Sequence, residues 1–412
     1  MRPKYFAILL AVAVVLALAT FWITRHQAPR QPEIGIGTTL FPDIDINALD
    51  RLHVQSPEGT VDVYRERGEW RVKQRWGYQA DFDKIAEFGK KVVDLSIGRA
   101  FVPSDKSLGR LKMHWPGSDA PAAETGTEVL LETGENEPIV HFLLGRQRTT
   151  GDMDAPDGHY LSPRGDDTVY VVGAHFAREI EQPSYWLYAT LLKIEGKSVE
   201  YVASMKRENG EWTTVFAFMR PEEGKAFDRV EFPEDEKVSW SGVDRVAGAL
   251  SLLELDDVKP VSDDDPGPTE RYIEYRLFDG RIYRVYKGDP DQEGKCRIRL
   301  EADYEDPPAI EQDVDTAGSE ADAVTPAGEG GDSTSVADGD PVAMAAKIEA
   351  WNRRFSPWIY TIAKWRCDAL YTEVADVAQK PAQNDNQAPG AVRPEAFGMQ
   401  PGGGMTGGGT RP

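Results

Sequence analysis

The chain has 412 residues, with 47 Lys and Arg against 69 Asp and Glu, a formal charge of −22. At about 150 residues per domain the length suggests two or three units, and 40% apolar with 28% charged residues is a globular balance. The acidity excludes a general nucleic-acid binder, which needs a basic face for phosphates, and 2 Cys exclude a disulfide scaffold or a multi-Cys metal cluster.

Residues 5–24, YFAILLAVAVVLALATFWIT, carry no charge. A helix rising about 1.5 Å per residue spans a hydrocarbon core of about 30 Å over such a length. Arg2 and Lys4 precede the run, Arg25, His26 and Arg30 follow it, and Phe21 and Trp22 sit where amphipathic rings favour the interface. Ala17-Leu18-Ala19 resembles a signal-peptide cleavage site, yet the apolar run continues to Ile23, so a retained anchor over residues 1–25 is expected. No Cys follows, which excludes lipoprotein processing. One span at the N-terminus with polar sequence after it predicts export of the bulk of the chain. Residues 26–45 read as a juxtamembrane linker; Gly35-Ile36-Gly37 lacks the third glycine and preceding strand of a dinucleotide fingerprint.

From residue 46 the chain alternates. Leu52, Val54, Val61 and Val63 recur at period two, Arg67-Gly68 turns, and Trp70 and Val72 return. Asp81 is an N-cap candidate for a helix with Phe82, Ile85, Phe88, Val92 and Leu95 on one face. Strand runs follow at residues 129–131, 139–144, 159–161 and 169–172. The same order then returns. Residues 199–202 precede Asn209-Gly210, a hairpin signal because both residues accept positive φ. Ser241 is placed to cap a helix with Val243, Val246, Leu250 and Leu253, and strands follow at 272–277, 281–286 and 296–300.

Three landmarks repeat in order. Gly68-Glu69-Trp70 recurs as Gly210-Glu211-Trp212, Leu144-Gly145 is mirrored by Lys287-Gly288, and the closing Ser184-Tyr185-Trp186 by Ser356-Pro357-Trp358. An internal duplication is therefore expected, with unit 1 over 46–191 and unit 2 over 192–376. Residues 305–340 hold 11 Asp and Glu and no Lys or Arg, and are expected to be a disordered acidic insertion carrying half of the net charge. Ala345, Ile348, Trp351, Phe355, Ile359, Ile362, Trp365 and Leu370 read as helical, with a break or restart at Pro357. Residues 377–412 form a Pro- and Gly-rich tail.

No catalytic motif emerges. Gly196-Lys197-Ser198 ends like a phosphate loop, but Leu191 stands where its first glycine belongs. The histidines 26, 53, 114, 141, 159 and 175 are scattered singly, against a zinc site. There is no G-x-S-x-G elbow. Asp81 with Asp83, and Asp263-Asp264-Asp265, come without a water-positioning pattern, against glycoside hydrolysis. The Trp placements favour core packing over a carbohydrate platform, with Trp70 and Trp212 read as equivalent. In an exported chain Cys296 and Cys367 would be free to form one disulfide across unit 2; the alternative is two reduced, buried thiols.

Several of these motifs together resemble the family catalogued as domain of unknown function 4340. The residues are Leu40-Phe41-Pro42-Asp43-Ile44-Asp45, Gly68-Glu69-Trp70-Arg71-Val72, Tyr78-Gln79-Ala80-Asp81, Leu143-Leu144-Gly145, Tyr160 and Val169-Tyr170-Val171-Val172. The resemblance covers residues 40–300. It implies a single-span bacterial envelope protein associated with gliding-motility-type ABC transporter components, and brings no catalytic residue. The acidic insertion and Gly-rich tail depart from the family pattern.

The expected fold is α+β: an N-terminal transmembrane helix, then two related units, each a mostly antiparallel sheet with a packed helix. The expected role is a non-enzymatic accessory or scaffold protein of an envelope ABC-type transport or gliding-type assembly, in the inner membrane with its bulk on the extracytoplasmic side. The expected partners are the membrane and proteins of that complex, not nucleic acid; no cofactor, metal or catalytic residue is assigned. The alternative is a carbohydrate- or peptidoglycan-binding envelope module.

Overall fold

Period-two alternation builds the sheets. The computed structural model describes residues 35–150, 155–176, 178–307, 341–370 and 372–379. Strands β1 (Arg51–Ser56), β2 (Gly59–Glu66), β3 (Glu69–Val72) and β4 (Tyr78–Gln79) are successive antiparallel neighbours. Leu52, Val54, Val61, Val63 and Val72 are fully buried on one face, as the alternation requires. Helix α1 (Phe82–Val93) starts at Asp81, whose carboxylate accepts from the Asp83 and Lys84 amides at 3.1 and 3.4 Å. It buries Ile85, Phe88 and Val92. Then come β5 (Ile97–Phe101), the short α2 (Asp105–Leu111), β6 (Thr127–Glu132), β7 (Pro138–Thr150), β8 (Ala155–Pro163) and β9 (Val169–Val172). The order in the sheet is β4-β3-β2-β1-β6-β7-β8-β9-β5. The strand after the helix has crossed to the far edge, antiparallel to β9.

After β10 (Thr190–Leu192), the second large sheet uses β11 (Val199–Glu208), β12 (Glu211–Met219) and β13 (Asp228–Glu231). Helix α3 (Trp240–Ala247), β14 (Leu253–Glu254), β15 (Asp257–Pro260), β16 (Arg271–Leu277), β17 (Arg281–Lys287) and β18 (Cys296–Tyr304) follow. Helix α4 (Pro341–Phe355), β19 (Trp358–Ile362) and the short helices α5 (Lys364–Cys367) and α6 (Val374–Val377) complete it. The sheet order is β13-β12-β11-β16-β17-β18-β19-β15, and β10 pairs with β14 in a third, two-stranded sheet. The fold is thus sheet-rich and antiparallel, with few helices.

With β11 set against β1, β12 against β2 and so on, the second order matches the first strand for strand; only β4 lacks a counterpart. The helices correspond too: Val243, Val246, Leu250 and Leu253 are buried like Ile85, Phe88, Val92 and Leu95. The short 3₁₀ turn before each first strand (Ile46–Ala48, Gly196–Ser198) packs on the C-terminal half of the helix that follows. The two halves meet in one apolar cluster. Tyr78 stands edge-on to Trp358 at 5.1 Å between ring centroids, and Arg75 makes a bidentate ion pair with Asp257 of β15.

Several sequence landmarks fall elsewhere than expected. Both Gly-Glu-Trp words follow a turn with two positive-φ residues, Arg67-Gly68 and Asn209-Gly210. The first joins β2 to β3, however, and the second joins β11 to β12, one hairpin earlier in the order. Trp70 is 8% exposed and Trp212 is 38% exposed, so they are not equivalent. Trp186 is buried in a 3₁₀ turn after β9, whereas Trp358 lies in β19 itself. The run directly after Pro357, Trp358–Ile362, is a strand, and only Trp365 falls in a helix, the short α5. Ile359, Tyr360 and Ile362 are buried between β18 and β15, where a strand covered on both faces loses its alternation. Ser239, not Ser241, caps α3.

The expected linker 26–45 is partly structured. Gly37 donates to the Ile97 carbonyl at 2.7 Å, and Phe41 packs 5.9 Å from Phe142. At the other end Ser239 donates to the Val377 carbonyl and Gln379 to the Lys237 carbonyl, each at 2.7 Å, so chain expected to be tail packs on the second unit. Glu305, at the head of the expected insertion, pairs with Arg276 at 3.0 Å. Residues 308–340 of that insertion, the expected membrane span at 5–24 and the tail from 380 lie outside the described residues. Among the described residues no helix is long and apolar enough to cross a membrane.

The burial difference between the two tryptophans sets a test. Trp70→Ala should cost about 3–5 kcal/mol of stability in urea unfolding. Trp212→Ala, which forfeits mainly ring–ring contact, should cost about 1 kcal/mol. Equal losses at both positions would contradict the assignment.

Candidate functional site

A mainly apolar opening lies beside α1. A groove of about 700 Å³ runs along one side of the helix, past Phe82, Ala86 and Val93. Its opposite wall is Ile46 and Leu49, and its floor includes Trp70. Local sequence creates it. Gly89 lets the Ile46 turn approach, since a Cβ there would lie 2.9 Å from Ile46 Cγ1. The tight Arg67-Gly68 turn adds no residues to cover the opening. Phe82, the first residue of α1, is 61% exposed, an apolar ring left at the groove in water. Of the charged groups at the mouth, Arg65 lies 3.6 Å from Asp50 and Glu69 accepts from Arg71 at 2.7 Å, while Lys90 of α1 also lines the opening.

A second opening, about 810 Å³, is mostly polar. It is lined by Arg110, Lys112, Arg146, Glu181 and the buried His159. Glu181 accepts from the Thr127 hydroxyl at 2.6 Å. His159 is stacked on His175 with centroids 5.7 Å apart, and the Phe176 amide donates to its Nδ1 at 3.4 Å. Burial pushes the His159 pKa down to about 4.

Three other histidines are held singly in His–carboxylate pairs. His53 on β1 lies 2.8 Å from Asp62 on β2, its cross-strand partner. That hydrogen bond raises the His53 pKa and holds the Asp62 carboxyl well below the usual carboxylate range. His141 lies 2.7 Å from Glu128 on the neighbouring strand, and His114 3.9 Å from Glu124. Among the described residues no three His, Cys, Asp or Glu side chains form a metal-binding group. His26 lies outside them.

The remaining sequence candidates are structural. Gly196-Lys197-Ser198 is the 3₁₀ turn against α3: Gly196 abuts Gly248, Lys197 pairs with Glu195 at 2.8 Å, and Ser198 donates to Glu223 at 3.1 Å. Asp81 caps α1, and Asp265 is held by Lys259 and Arg297. Cys296 and Cys367 are joined by a disulfide. The groove left no mark in the sequence, because it is made by small residues and a short turn. No family model matches the chain, and no curated protein or solved structure matches it either.

The buried histidine gives a pH prediction. A folded-state pKa near 4, below the unfolded value of about 6.5, means the unfolded chain takes the proton first, so stability falls as pH drops through that window. His53 acts oppositely: its contribution is complete below about 6.5 and is lost as pH rises through its raised value. Asp62 contributes above about 4 and loses that contribution as pH falls further. Wild type should lose on the order of 3 kcal/mol from His159 between pH 6.5 and 4. His159→Gln should remove most of that slope in stepwise urea titrations; an unchanged slope would reject the role.

Proposed function

We propose that this protein is an exported, non-catalytic accessory or scaffold subunit of a bacterial envelope ABC-type transport or gliding-type assembly. Residues 5–24 anchor it in the inner membrane, and two copies of one ancestral module stand on the extracytoplasmic side. The disulfide between Cys296 and Cys367, with Cα atoms 5.8 Å apart, carries the reading, because such bonds persist in oxidising compartments. The matching strand orders support the duplication. The open apolar groove supports engagement of a partner. The transporter context comes from the resemblance to the domain of unknown function 4340 family.

A second reading, binding of glycan or peptidoglycan, draws on the aromatic cluster of the second sheet. Trp212, Tyr272 and Tyr286 pack with centroids 4.6 to 6.3 Å apart, Trp212 is partly exposed, and Arg207 and Arg299 flank the rings.

Purification of the full chain in mild detergent separates the two. Transporter subunits should co-purify; their absence, with retention on cell-wall material, would overturn the scaffold reading in favour of the second. Export has its own test. Mass spectrometry without reductant should find no free thiol at Cys296 or Cys367. Cys367→Ser should lower stability by about 4 kcal/mol, the entropy of closing a 71-residue span. Two free thiols in protein taken from its native membrane would remove the support for export.

A further inference from the structure

The groove beside α1 has a counterpart in the second sheet, and there it is filled. Pairing fixes the correspondence. The Arg65 amide donates to the Asp50 carbonyl and the Arg220 amide to the Glu200 carbonyl, both at 2.8 Å, one residue beyond matching strand pairs. Arg220 is therefore the counterpart of Arg65. Trp70 stands opposite Arg65. The residue opposite Arg220 is Phe227, which precedes the Asp228 that pairs with Met219. Lys197, third before Glu200, matches Asn47, third before Asp50.

The two arginines behave differently. Arg220 is 5% exposed; its guanidinium lies 3.9 Å from the Phe227 ring centroid and donates to the Lys197 carbonyl at 3.3 Å. The chain supplies this plug through the longer β12–β13 connection, residues 220–227. In the first unit Asp50 holds Arg65 at the groove mouth, 3.6 Å away, and the space beside Trp70 stays open. Counting from the caps Asp81 and Ser239, Ala86 is the counterpart of Asp244, whose charge acts on Arg220.

We propose that the groove receives an arginine side chain of a partner polypeptide, stacked on Trp70 and donating to the Asn47 carbonyl as Arg220 does to Lys197. A planar, weakly hydrated guanidinium suits a mainly apolar slot faced by an aromatic ring; a compact, strongly hydrated ammonium does not. The groove follows α1 from Phe82 to Val93, about 16 Å at 1.5 Å per residue, which accommodates an extended peptide on either side of the arginine. The occupant's identity as a polypeptide rests on the scaffold reading.

The test uses the full chain in detergent micelles and capped Gly-Arg-Gly, Gly-Lys-Gly and Gly-citrulline-Gly peptides, titrated calorimetrically. The arginine peptide should bind at least tenfold more tightly than either analogue. Ala86→Asp, which places a carboxylate where Asp244 stands, should tighten it further by about tenfold. Ala86→Trp, at an exposed helix position, should abolish binding while the melting temperature holds. Equal binding of the arginine and lysine peptides, or unchanged binding to Ala86→Trp, overturns the proposal. If the peptides fail to bind while transporter subunits still co-purify, the groove assignment falls and the scaffold reading stands. If the arginine peptide binds and no subunit co-purifies, the slot is real and the scaffold reading falls.

Discussion

Each large sheet depends on one crossover: the strand that leaves the helix must reach the opposite edge. From β4 to β5 there are eight strand spacings in the order, about 38 Å for a flat sheet at about 4.8 Å each. Helix α1 covers about 18 Å with its 12 residues, and the five flanking residues, if extended, bring the reach to about 35 Å. The connection is shorter than a flat sheet is wide, so the twist and coil of the sheet must bring its edges closer. The helix is thereby drawn across the inner face, where Ile85, Phe88 and Val92 share one buried apolar cluster with Leu52 of β1 and Val63 of β2. The groove exists because the same crossover leaves one side of α1 facing the 3₁₀ turn before β1 instead of the sheet.

The second unit adds a covalent constraint. Its last sheet strand, β19, arrives after the long acidic stretch and slots between β18 and β15. Inserting a strand late, between two partners, carries the loop-closure entropy of everything before it. The bond from Cys296, at the start of β18, to Cys367, just after β19, joins the two ends of that closure. Beyond it, Ser204 donates to the Thr372 carbonyl at 2.8 Å, and Lys287 to the Leu370 carbonyl at 2.7 Å. The last described residues are thus held on the sheet rather than leaving it.

Sequence periodicity read most of the frame. The buried stripes of α1 and α3 are visible as three-to-four spacing, β1 and β2 as period-two spacing, and β6, β9, β16 and β17 as short strand-like runs. The crossover strands were not. In β5 only Ile97 is buried, and β15 offers a single buried residue, Val258; edge strands carry too few apolar residues to show a period. The repeated Gly-Glu-Trp word misleads for a related reason. A positive-φ pair specifies a tight turn, and a tight turn serves any hairpin, so identical words mark identical local geometry and not the same place in a sheet. Cross-strand pairing supplies what the words cannot: it matches Trp70 to Phe227, two residues with no sequence identity.

That match explains why one slot has two fates. In both units an arginine leaves the second strand beside an aromatic ring and a 3₁₀ turn. The deciding variable is the length of chain that follows. Two residues, Arg67 and Gly68, close the first hairpin at once, so Glu69 and Trp70 lie flat on the sheet and the slot stays open. Seven residues separate Arg220 from Asp228, enough for the connection to fold over the slot, with Gly224 donating to the Lys197 carbonyl at 3.3 Å. Burying an arginine without a carboxylate contact is costly unless ring stacking and carbonyl acceptors replace its hydration. The second unit offsets part of that cost within one chain, through the Phe227 ring and the Lys197 carbonyl. In the first unit Asp50 retains the guanidinium in solvent, and the apolar wall it would have covered stays open.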